Sequence, residues 1–99
     1  MVVGVLRITL GIEGARSLKE KRKSLRKVID RVRARFTVSI AEVGDNELWN
    51  RAQIGVAVVS NASDHVNSIL DHVLNTIYQV AEVEVLDSEL EIIPIGQMV

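Results

Sequence analysis

Apolar and polar residues alternate along the start of the chain, with Leu6, Ile8, Leu10 and Ile12 on one parity and Val3, Val5, Arg7 and Thr9 on the other. A period of two predicts a strand over residues 2–12 with one face turned to a core. The period then changes. Leu18, Leu25, Val28, Ile29, Val32 and Phe36 recur at three- and four-residue steps, which gathers them on one face of a helix. Ser17 with Glu20 three residues on is a capping box that starts this helix, and residues 11–14, with a glycine at each end, supply the turn into it. Alternation resumes over residues 36–43, where Val38 and Ile40 point inward, and again over 52–59, where Ile54, Val56 and Val58 do. Gly44, Asp45 and Asn46 are turn residues, and the connection through residue 50 is too short for a parallel crossover, so these two strands form an antiparallel hairpin. Capping residues over 60–64 open a second helix, predicted to run to about residue 81. Its stripe is Val66, Ile69, Leu70, Val73, Leu74, Ile77 and Val80. A last strand over residues 83–93 ends before Pro94. Val83 and Val85 share one parity while Leu86, Leu90 and Ile92 share the other, so a bulge is expected near Asp87 and Ser88.

The order βαββαβ predicts an α+β ferredoxin-like sandwich. Right-handed crossovers place both helices on one face of a four-stranded antiparallel sheet, with the first and third strands central. One domain is expected over residues 1–99. Leu25, Ile29 and Val32 should pack on Leu6, Ile8, Ile54 and Val56, with Val66, Val73 and Ile77 beside them. The opposite sheet face keeps Val3, Val5, Gly55, Ala57 and Val59, and a face this apolar is expected to be covered by a second copy of the chain.

Charge adds a feature that the net value of −1 conceals. Residues 16–35 hold ten basic residues against Glu20 and Asp30, a balance of +8, while the rest of the chain stands at −9. On the first helix Lys23, Lys27 and Arg31 lie opposite the apolar stripe, and Lys19, Arg22, Arg26 and Arg33 line one shoulder of it. Helical spacing pairs Glu20 with Lys23 and Asp30 with Arg26 or Arg33. Such a face is either solvated or the seat of an anionic partner. The phosphate backbone of RNA, ribosomal RNA included, is one candidate. Acidic surface on another protein, or on a second copy of this chain, is the other.

Catalytic chemistry finds no support in the residues, and the chain is expected not to be an enzyme. Cysteine is absent, which excludes disulfides and thiolate metal sites. No serine sits in a nucleophile elbow. His65 and His72 are seven residues apart on one helix, too far to share a metal ion. Neither a metal nor a cofactor nor a small-molecule substrate is expected. Glu82, Glu84, Asp87, Glu89 and Glu91 alternate as on a solvated sheet edge that discourages aggregation. The glycine-bearing turn before the basic helix matches neither glycine spacing of the phosphate-binding motifs and reads as a plain turn, although free amides beside Arg16, Ser17 and Lys19 can hold a phosphate. Base stacking on the sheet is excluded, because the outward positions of the central strands are Val5, Arg7, Thr9, Gln53, Gly55 and Ala57, none of them aromatic. Trp49 is expected to be a lid packed over the end of the core, with a contact anchor for a partner as the alternative. Glu42 and Arg51 pair across the hairpin or reach the basic helix. The apolar N-terminal run carries Arg7 and is neither a signal peptide nor a membrane span, so a cytoplasmic location without membrane contact is expected.

Ser17, Leu18, Lys19, Glu20, Lys21 and Arg22, the basic helix after them, the run over residues 38–43 with Glu42, then Trp49 and the run over 55–60 together resemble the YlxP-like family of small uncharacterised bacterial proteins. The resemblance covers essentially the whole chain. It implies a ferredoxin-like fold and no established activity. It also implies a connection to RNA or the ribosome, by association of the family's genes with those for translation initiation factor two and ribosome-binding factor A.

Overall fold

The computed structural model describes residues 1–96, and residues 97–99, the end of the expected domain, lie outside the described residues. The elements are β1 (Val2–Gly11), α1 (Leu18–Arg35), β2 (Ser39–Gly44), β3 (Arg51–Ser60), α2 (Ser63–Tyr78) and β4 (Glu84–Pro94). They form one four-stranded sheet in the order β2-β3-β1-β4, every neighbour antiparallel. This is the ferredoxin-like βαββαβ fold, with β1 and β3 central.

The register shows why the alternation works. Leu6 stands opposite Val56 and Ile8 opposite Ile54, so the inward sets of both central strands meet on one face and are fully buried. Pairing of β1 with β4 jumps from Thr9–Asp87 to Leu10–Val85. Leu86 is therefore the extra residue, one position before the expected bulge, and it lets Val85 and Ile92 both pack against the core across their odd spacing. β4 also reaches Pro94, one residue further than expected. It is an edge strand, where a missing N–H costs no ladder bond.

Both helices pack on the inward face. Gly4 marks a close approach of α2: a Cβ there would fall 2.0 Å from Val66 Cγ1 and 2.9 Å from Leu70 Cδ1. On α1 the apolar contribution to the core differs from expectation in one residue. Leu25, Val28 and Val32 are buried, whereas Ile29 is only half-buried and lines a groove with Arg22, Arg26, Arg33 and Glu42. The apolar stripe spans more than one contact width, and Val28 takes its centre. α2 ends at Tyr78 rather than near residue 81, with Val80 still buried in the turn that follows.

Candidate nucleic-acid interface

The first turn of α1 is closed by its own side chains. Ser17 Oγ accepts from the Glu20 amide at 3.1 Å, and the Glu20 carboxylate accepts from the Arg16 amide. That carboxylate occupies the place a phosphate would need, so the glycine turn, with Gly14 at φ +78°, is a plain strand-to-helix connection.

Lys19, Arg22, Lys23, Arg26, Lys27, Arg31 and Arg33 are all exposed along α1, but they are not equivalent. Lys27 Nζ lies 2.9 Å from Glu82 Oε1. The hydrogen bond from Lys27 is the main reason the Glu82 carboxyl titrates below its ordinary value of 4.5, with Arg31 adding to the same field. Arg33 donates to the Ile40 carbonyl at 3.3 Å. The pairs expected from helical spacing, Glu20 with Lys23 and Asp30 with Arg26 or Arg33, do not form among the described residues; Glu20 is instead turned back to the helix start. Lys19, Arg22, Lys23 and Arg26 share one shallow depression with Ser17 and Glu20 and have no carboxylate paired to them among the described residues.

A lysine not included among these candidates is the structural centre of the region. Lys21 is only 1% exposed, its Nζ 3.0 Å from Glu42 Oε2 and donating to the Asp45 carbonyl at 2.6 Å. The signal was present in the spacing, since Lys21 stands three residues after Leu18 and four before Leu25, inside the apolar stripe. Glu42 shares its inward parity on β2 with Ile40, and so reaches the helix. Arg51 instead pairs with Asp45, 3.1 Å away, to whose carboxylate Gln53 also donates. Asp45 has φ 59°, a left-handed turn that Asp tolerates better than most residues. Leu48 N donates to the Asp45 carbonyl at 3.1 Å, and Ile12 N to the Asn50 carbonyl at 2.9 Å. The β2–β3 loop is thus tied to both α1 and the end of β1.

Trp49 sits on that loop and is 53% exposed, which corrects the expectation of a packed lid. The neighbouring end of the core is already filled by Ile12, Ala52 and the Lys21 stem, all buried. Trp49 borders a surface depression with Ala15, Glu47, Leu48 and Asn50, one residue from the basic segment that starts at Arg16. On the open sheet face, Arg7 pairs with Glu89 amid Val3, Val5, Val43 and Val59. His65 and His72 are both exposed. Among the described residues no three metal-type side chains come together, and no helix is long and apolar enough to cross a membrane.

A ferredoxin-like sandwich with a cationic first helix defines the class, and comparison with known proteins narrows it. Residues 3–90 match the family described as protein of unknown function (DUF503), and the chain belongs to that family. The uncharacterized protein YlxP of Bacillus subtilis (strain 168) is 40% identical over 73 residues, spanning 74% of this chain and 79% of that protein, as the resemblance in the motif residues implied. Among solved structures, a de novo designed ferredoxin-fold protein superposes with TM-score 0.56 at 12% identity, covering 99% of this chain and 91% of its own. The ACT domain of a GTP pyrophosphokinase from Chlorobium tepidum gives 0.54 at 15% identity, covering 90% and 96%. SnoaB, a cofactor-independent oxygenase from Streptomyces nogalater, gives 0.51 at 10% identity, covering 98% and 95%. At these identities the likenesses show the fold alone.

Proposed function

We propose that the protein is a non-catalytic cytoplasmic module that docks on RNA, ribosomal RNA included, through the phosphate backbone. The observation that carries this reading is the set Lys19, Arg22, Lys23 and Arg26, exposed on one capped helix and without paired carboxylates among the described residues. Like charges three and four residues apart on a helix repel by about 0.2–0.5 kcal/mol per pair. An anion lying along the row reverses that cost. Phosphates suit the row better than a protein surface does, because protein interfaces are built around an apolar or aromatic centre, and among the described residues no apolar or aromatic side chain lines the depression that Lys19, Arg22, Lys23 and Arg26 share. The test is fluorescence anisotropy of a labelled ribosomal RNA fragment with the wild type and with the triple variant Arg22→Glu, Lys23→Glu, Arg26→Glu. Binding by the wild type and its loss in the variant is the expected result. Equal binding by both, or none by either at low salt, refutes the reading.

One observation favours a second role, self-association through the open sheet face. Val59 is 62% and Val43 57% exposed, beside Val3, Val5 and Ile93 on the same side of the sheet. A homodimer would remove this surface from water. Sedimentation at high protein concentration checks it, and a monomer there rules it out.

A further inference from the structure

We infer that Trp49 is a stacking platform for one unpaired base of the RNA whose phosphates α1 holds. The inference rests on the RNA reading above and adds to it the kind of RNA recognised: a strand with unpaired bases rather than a continuous duplex.

Three features of the loop support it. Trp49 is half in solvent although the chain has no other tryptophan and few aromatics, and leaving so large an apolar ring in water is unfavourable unless something covers it. The loop that carries it is not slack. Lys21 Nζ and Leu48 N both donate to the Asp45 carbonyl, Arg51 and Gln53 engage the Asp45 carboxylate, and Ile12 N holds the Asn50 carbonyl. A ring presented on a pinned loop loses little further freedom on binding. The ring also stands at the correct end of the molecule, bordering Ala15 just before Arg16, Ser17 and Lys19. Single-stranded nucleic acids are held by this combination of a cationic track for the backbone and an aromatic face for a base. Glu47 lines the same depression and repels phosphate from it, so the phosphates follow Lys19, Arg22, Lys23 and Arg26 while an uncharged base takes the ring. Stacking tolerates any base, so the preference is for unpaired structure and not for sequence.

The single tryptophan makes the test direct. Trp49 emission is followed while oligoadenylate, an RNA duplex of equal length, or inorganic polyphosphate is added, with binding measured separately by anisotropy of labelled RNA and by competition. Oligoadenylate should quench Trp49, while duplex and polyphosphate bind with little quenching. Trp49→Ala should weaken oligoadenylate binding about tenfold and leave polyphosphate binding unchanged, and Trp49→Phe should keep most of the affinity. The ring is exposed, so both variants should melt like the wild type. Oligoadenylate binding without quenching, or equal affinity in Trp49→Ala, overturns the stacking role and leaves the phosphate reading intact; a ring that serves a protein partner gives this outcome. Quenching by polyphosphate equal to that by RNA also overturns it. Absence of binding to any RNA removes both readings together.

Discussion

Replacing Lys21 with Met removes one charge from the interior and keeps the length of the buried stem. Two groups lose their partner. The Asp45 carbonyl loses a hydrogen bond from a charged donor, a contact worth about 1.5–3 kcal/mol, but keeps its bond from Leu48 N. The Glu42 carboxylate loses the cation 3.0 Å away. Breaking a fully buried ion pair from one side costs about 3–5 kcal/mol; Glu42 Oε2, which faces the lysine, is itself buried, but the side chain as a whole is 23% exposed, which moderates the cost. The expected loss is about 2–4 kcal/mol, a large share of the roughly 5–15 kcal/mol that holds a small domain together. Urea denaturation followed by far-UV circular dichroism and by Trp49 emission measures it. Emission should also change in the folded baseline, because the loop carrying Trp49 loses its tie to α1. Adding Glu42→Leu should return more than half of the lost stability, since the orphaned carboxylate goes with it. A loss below about 1 kcal/mol in Lys21→Met would refute the idea that this lysine organises the loop.

Gly4→Ala places a Cβ against Val66 and Leu70 of α2 and should cost about 1–3 kcal/mol or more by overpacking, read as a lowered melting temperature. An unchanged melt would mean that α2 moves away freely. Glu82 titrates below its ordinary value of 4.5 in the folded state because Lys27 binds it, so the unfolded chain takes up more protons in acid. The stability this contributes is present above 4.5 and is lost as the pH falls through the lowered folded value. Relative to Lys27→Met, the wild type should gain most at neutral pH, and the gap in melting temperature should close in acid. A gap independent of pH would show that the pair does not couple to folding.

The two central strands and both helices were legible because their alternations and stripes are long and unbroken, whereas β4 changes parity part-way and only its pairing with β1 fixes where the bulge falls. The site was legible in composition but not in pairing. Lys27 and Glu82 meet across a separation that no helical spacing rule reaches, while the three- and four-residue pairs that such rules suggest do not form among the described residues, Glu20 being used at the helix cap. Lys21 occupied a core position in plain view, but a lysine in an apolar stripe reads as a surface cation until Glu42 and Asp45 are seen to face it. Ile29 and Val28 are neighbours on one stripe, and only packing decides which is central. For Trp49, size and apolarity alone predict burial. Its exposure arises because Ile12, Ala52 and Lys21 already fill the end of the core.

The claim that α1 holds a phosphate backbone is tested most directly by the salt dependence of binding to single-stranded RNA. Three to five contacts, drawn from Lys19, Arg22, Lys23, Arg26 and a neighbouring cation, release counterions in proportion. The logarithm of the association constant should therefore fall against the logarithm of salt concentration with a slope of about −2 to −4, at roughly 0.7 per contact. The variant carrying Arg22→Glu, Lys23→Glu and Arg26→Glu should show a slope shallower by about 2, or no measurable binding. A slope near zero in the wild type, or one unchanged in the variant, would contradict the account.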